Sequence, residues 1–169
     1  MRPLLLLLPA LFLVGACDSG LGSTDEVRVT LAVPDAFGVS RTFSGDEAGI
    51  SIERRTFFGL ACELSVRVMS RDDDGYAAEL AFVLPIRSDF GVGTYTEADA
   101  EFVGDLRYTG LLPGSPVLET YITESDALTL TLESYSDHAA AGSLTVTGQG
   151  EDVRSTVRAT FDVRLDDRC

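Results

Sequence analysis

The sequence predicts an all-β fold: an antiparallel β-sandwich of about nine or ten strands, with a lipocalin-like β-barrel as the alternative closure. Three observations predict it. Apolar residues recur at every second position through most of the chain from Glu26 onward, Gly, Pro and Asp punctuate the runs, and no segment sustains a 3.6-residue period. Alternation this regular implies sheets with one apolar and one wet face.

Val27, Val29, Leu31 and Val33 alternate with Arg28, Thr30 and Ala32 in a first strand that Pro34-Asp35 ends. A short second strand follows near Val39 to Phe43, and Ile50 and Ile52 mark a third after a Ser44-Gly45-Asp46 turn. Cys62 to Leu84 reads as a hairpin. Its first arm turns Cys62, Leu64, Val66 and Val68 inward and Glu63, Ser65 and Arg67 outward; its second arm turns Ala78, Leu80, Phe82 and Leu84 inward. Arg71-Asp72-Asp73-Asp74-Gly75 connects the arms, with Gly where a positive φ costs least.

After Gly91-Val92-Gly93-Thr94-Tyr95, Phe102, Leu106 and Tyr108 are expected to point inward. Leu112 to Pro116 is a loop, and Val117 to Thr123 an edge strand. Leu128, Leu130 and Leu132 alternate with Thr129, Thr131 and Glu133. A small-residue loop is expected at Ala139 to Gly142, then Leu144 and Val146 inward, then a turn at Gly148-Gln149-Gly150. Val157, Ala159, Phe161, Val163 and Leu165 form the inward set of the last strand, and Cys169 follows on the same parity.

Gly93-Thr94-Tyr95, then Gly142-Ser143-Leu144-Thr145-Val146-Thr147, a turn, and Ala159-Thr160-Phe161-Asp162-Val163 resemble the closing pattern of β-sandwich domains in Bacteroidota-type lipoproteins of unknown function. In that pattern glycine is usual where Ala159 stands and an aromatic where Val163 stands. The resemblance implies a fold and a compartment, and no activity.

The N-terminus carries its own signal. Met1-Arg2 is a minimal positive region, Leu4 to Val14 an apolar run, and Val14-Gly15-Ala16-Cys17 resembles the lipobox of bacterial lipoproteins. The run covers about half of a ~30 Å hydrocarbon core, too little to span it. Residues 1–16 are therefore expected to be a removed signal peptide, 17–25 a lipidated Cys17 and polar tether, and 26–169 a single β domain. Acyl chains such as palmitate on Cys17 would hold the protein on a membrane. The competing reading is an ordinary secretory signal with a chance cysteine near the cut. Asp18 does not decide between inner and outer membrane.

An oxidising envelope then leaves Cys62 and Cys169 as an even pair, and a Cys62–Cys169 disulfide is expected, against a buried free Cys62 and a frayed terminus. The chain-entropy model values closure of such a loop at about 4 to 5 kcal/mol, an upper figure. The formal charge is -14, and nucleic acid is excluded as a partner by repulsion. All basic residues are arginine, which fits a GC-rich genome or a salt-adapted surface.

Few residues suggest chemistry. Asp72, Asp73 and Asp74 offer hard oxygens to Ca²⁺, but the EF-hand spacing fails because Ala81 stands where a bidentate Glu is required, so a hydrated turn is preferred. His138 is the one histidine and cannot make a zinc site by itself. Arg54, Arg55, Phe57 and Phe58 form a locally basic, aromatic stretch, either a contact patch or a strand with a buried Phe. The outward Thr129, Thr131, Thr145, Thr147, Thr156 and Thr160 suit exposed strand faces by propensity. The expected role is a non-enzymatic structural or binding component of the bacterial cell envelope, anchored in a membrane, with an envelope protein as its further partner and no cofactor. A carrier of small apolar ligands is the alternative, and a carboxylate hydrolase the third reading.

Overall fold

The computed structural model describes residues 22–32, 38–57, 61–112 and 114–168. Among them the chain forms twelve strands and two 3₁₀ turns, Gly45–Glu47 and Glu97–Asp99. The strands are β1 Gly22–Ala32, β2 Val39–Phe43, β3 Ala48–Phe57, β4 Ala61–Arg71, β5 Ala77–Pro85, β6 Gly93–Thr96, β7 Phe102–Val103, β8 Leu106–Gly110, β9 Glu119–Tyr135, β10 Ala139–Gln149, β11 Arg154–Arg164 and β12 Asp166–Arg168.

The hydrogen-bonded ladder runs β3-β4-β5-β8-β9-β10-β11-β1, and β1 returns to β3 through the pairs Gly22↔Ile50 and Ser23↔Gly49. Eight antiparallel strands thus form a ring. Several long strands share one edge between two shorter neighbours. β9 gives Glu119–Thr123 to β8 and Thr129–Leu132 to β6. β5 gives Ala77–Glu79 to β8 and Phe82–Val83 to β7. β3 gives Gly49–Ile50 to β1 and Glu53–Arg55 to β12, which is its parallel partner. The ladder is that of a curled barrel, while the interior is filled as in a sandwich: one apolar cluster draws Ile52, Val66, Phe82, Tyr108, Leu130, Val146 and Phe161 from seven strands.

The inward sets read from alternation on β3, β4, β5, β8, β9, β10 and β11 are buried, apart from the residues below. The side chains of Val27, Val29, Leu31 and Val33 lie outside the described residues. Phe102 is a correction: it is 58% exposed, because β7 is only two residues long and turns it onto the outer surface. Glu63 points outward as expected, yet only 4% of it is exposed, with Arg55 on one flank and Pro85 on the other. Gly22–Asp25, expected in a polar tether, belong to β1.

The expected strands at Val117–Thr123 and Leu128–Leu132 are one strand, β9. The expected loop at Ala139–Gly142 and turn at Gly148-Gln149 are both inside β10; the turn comes at Gly150, whose N–H donates to Val153 O at 2.7 Å. Small residues there serve close approach. β10 slips its register against β9 between Ala141 and Gly142 and between Thr147 and Gly148. A Cβ on Gly142 would fall on the Thr131 carbonyl oxygen, and one on Gly148 would fall on the Thr123 hydroxyl. Gly142→Ala should therefore lower stability by about 1 to 3 kcal/mol, as overpacking against backbone does. A thermal melt or urea titration checks this; an unchanged midpoint would mean that β10 does not lie this close to β9.

Candidate functional site

The strongest candidate site lies on the outer face of β3, β4, β5 and β8. Register aligns Gly49, Met69, Glu79, Arg107 and Ile122 in one row across five strands. Beside that row the β5–β8 ladder stops at Glu79↔Arg107, and the chain between β7 and β8 crosses instead, with Gly104 N–H donating to Ala81 O at 2.8 Å. The interruption leaves a groove of about 380 Å³ with Ala81 in its lining, Met69 and Phe102 as apolar sides, and Arg67, Arg107, Glu79 and Asp105 as charged ones. A second depression shares Met69 and Glu79 with it, and a third shares Asp105.

Met69, Phe102 and Ile122 are exposed on this face, and Leu111, Val117 and Leu118 are exposed in the β8–β9 connection of the same sheet. The outer face of β9, β10 and β11 is different in kind. There Thr129, Thr145 and Arg158 make one row and Thr131, Ser143 and Thr160 the next. These threonines take the polar, cross-strand positions expected of them.

The predicted Arg54–Phe58 patch is divided by the strand itself. Adjacent residues of β3 face opposite ways, so Arg54 turns inward, with its side chain 13% exposed, and donates to Asp137 Oδ1 at 2.6 Å in the β9–β10 turn. Arg55 turns outward, 3.8 Å from the Glu63 carboxylate. The Phe57 side chain and the whole of Phe58 lie outside the described residues, as do Cys17 and Cys169. Cys62 is half-buried at the inward register opposite Thr56 and has a bonded partner. His138 is exposed in the same turn as Asp137, and its carbonyl accepts the Leu165 N–H at 2.9 Å.

The aspartate turn is built around an arginine. Asp72 is buried; its Oδ1 accepts the Tyr76 N–H at 2.9 Å and its Oδ2 accepts Arg41 Nη2. Asp74 stands 3.9 Å from the same guanidinium, and Asp73 is exposed. Gly75 has a φ of +88°, as the turn chemistry required. Arg41 also sits 4.6 Å from the centroid of the Tyr76 ring, and its hydrogen bond to Asp72 raises its pKa further. Ca²⁺ would have to displace that guanidinium. Among the described residues no group of three or more His, Cys, Asp or Glu is placed to hold a metal ion. Sequence reading missed Arg41, because nothing in Ser40-Arg41-Thr42 marks its partner thirty-one residues away.

Glu63 and Glu101 are neighbouring carboxylates. Burial, followed by the Glu101 charge, raises the Glu63 pKa above its ordinary 4.5. The comparisons add nothing further: no family model, no curated protein and no solved structure matches this chain.

Two outcomes follow from these contacts. Asp72→Asn should destabilise by about 1 to 3 kcal/mol, the range for a hydrogen bond to a charged group, because the freed Arg41 is partly solvated and the full buried-pair penalty does not apply. Ca²⁺ should leave the wild-type melting midpoint in place. Because the Glu63 pKa is raised on folding, its stabilising contribution is complete below pH 4.5 and is lost as pH rises through the raised value. Glu63→Gln should accordingly melt higher than wild type at pH 7, and the gap should close in melts below pH 4.

Proposed function

We propose that the chain is a lipid-anchored protein of the bacterial cell envelope, held by acylated Cys17 and acting non-enzymatically as a structural or binding component. The observation that carries the binding part of this reading is the filled interior. Leu64, Val66, Phe82, Leu130 and Leu144 are at most 1% exposed, and the groove of the candidate site lies on the outside of the β4–β5–β8 sheet. A carrier of apolar ligands needs an internal cavity. Recognition is therefore a surface event, with a protein of the envelope or the membrane itself as partner. The lipobox-like Val14-Gly15-Ala16-Cys17 supports the anchor, and no helix among the described residues is long and apolar enough to cross a membrane.

The Cys62–Cys169 disulfide belongs to the same reading. In an oxidising envelope, lipidation of Cys17 leaves Cys62 and Cys169 as an even pair. β12 pairs Arg168 with Arg55, one residue before Thr56, the cross-strand neighbour of Cys62. Arg168, the last described residue, thereby stands near the level of Cys62.

Intact mass of the membrane-extracted protein should show loss of residues 1–16 and addition of acyl chains; an unmodified mature mass would remove the anchor. In the same unreduced sample, unfolded in denaturant, a thiol reagent should label neither Cys62 nor Cys169. A panel of fatty acids should leave the melting midpoint unshifted, whereas a ligand at one hundred times Kd would add about 2.7 kcal/mol and restore the carrier reading.

A further inference from the structure

We propose that the outer face of β3, β4, β5 and β8 lies against the bilayer that holds the anchor, and that it recognises zwitterionic phospholipid headgroups. This rests on the reading of Cys17 as the lipidated residue, and it specifies which side of the domain meets the membrane and through what chemistry.

The first argument is reach. Only Asp18 to Leu21 separate Cys17 from the start of β1 at Gly22, a span of at most about 18 Å at 3.3 to 3.6 Å per residue. The second is the place where that span attaches. β1 begins on the edge of β3, with Gly22 opposite Ile50 and Ser23 opposite Gly49, and β12 occupies the same edge from Glu53 onward. Gly49 belongs to the row that continues through Met69, Glu79, Arg107 and Ile122. At about 4.8 Å per strand, Met69 is one strand from the attachment point and Glu79 two. The anchor therefore holds the domain at the β1–β3 edge, within reach of this face; β11 pairs with β1 on the other side, so composition is what selects between the two faces.

The third argument is composition. Met69, Phe102 and Ile122 are exposed apolar groups able to enter a headgroup layer. Arg67 and Arg107 have no carboxylate partner among the described residues, and their long stems let the guanidinium groups meet lipid phosphates while the apolar side chains insert. Glu79 and Asp105 line the same groove, and they match the ammonium group of a phosphatidylethanolamine or phosphatidylcholine headgroup. A chain of charge -14 is repelled by an anionic surface, which makes the zwitterionic lipid the better match. The contact need not be strong, because the lipid tether makes it an intramolecular event.

The absence of tryptophan makes the test direct. Full-length lipidated F102W and, as the opposite-face control, T160W would be reconstituted in vesicles of phosphatidylethanolamine and phosphatidylcholine with brominated acyl chains. I122W is a second reporter in case F102W disturbs folding. The expected result is blue-shifted emission from F102W and I122W, quenched several-fold more strongly by bromine than that of T160W. F102W and I122W left unquenched in protein that floats with the vesicles would overturn the orientation and leave the anchor standing. Equal quenching of both faces would overturn it too, as would shielding of F102W only after envelope proteins are added, which would give the face to a protein partner. Protein that neither floats nor carries acyl mass would remove the anchor, and this proposal with it.

Discussion

The crossing of β9 from one sheet to the other is the constraint on which the rest of the structure depends. A strand of seventeen residues is too long to stay in one twisted sheet, and β9 passes from β8 to β10 around Thr123–Ser125. The corner forces two polar side chains inward, and they satisfy each other: the Thr123 and Ser155 hydroxyls are hydrogen-bonded to one another, and Thr123 also donates to Leu106 O at 3.3 Å. Gly148 has no side chain to occupy the space those hydroxyls need. Between the stretches served by β8 and β6, the exposed edge of β9 borrows a side chain, since the Leu128 N–H donates to the Glu97 carboxylate at 3.1 Å. Hydrogen bonds of this kind hold the Glu97 pKa below its ordinary value.

With that corner in place the interior closes at both ends by the same device. At one end Arg41 of β2 reaches Asp72 in the β4–β5 turn; at the other Arg54 of β3 reaches Asp137 in the β9–β10 turn. Each arginine joins a strand to a hairpin turn elsewhere in the fold, where loose hairpin ends would otherwise admit water to the apolar cluster. Phe90 adds an aromatic cover at the Arg54 end, its ring 4.7 Å from Tyr95 and 5.1 Å from Tyr135. A barrel packed and closed in this way is a scaffold, and what varies over its surface is what it can use for recognition.

The two outer faces divide that work. One is a regular field of threonine, serine and arginine whose hydroxyls meet across strands, as Thr94 and Thr131 do at 3.3 Å. The other is broken where β5 parts from β8, and the break leaves apolar side chains beside the guanidinium groups of Arg67 and Arg107. The same sheet also holds the buried Glu63.

The inward and outward parity of β3, β4, β5 and β8 to β11 was legible in the sequence because period-two alternation is a local property: each side chain's face follows from its neighbours along the chain. The all-β class and the Gly75 turn were legible for the same reason. Ring closure, the edges shared between strands, the arginine inside the aspartate turn and the splitting of Arg54 from Arg55 were not, since each depends on residues that meet only after distant strands pair. The groove lay outside the pattern altogether, because Met69, Glu79, Arg107 and Ile122 are far apart in sequence and become neighbours only through register. Local alternation by itself determined which side of each strand faces water. Only the tertiary pairing decided which of those wet sides are adjacent, and adjacency is what makes a surface able to bind.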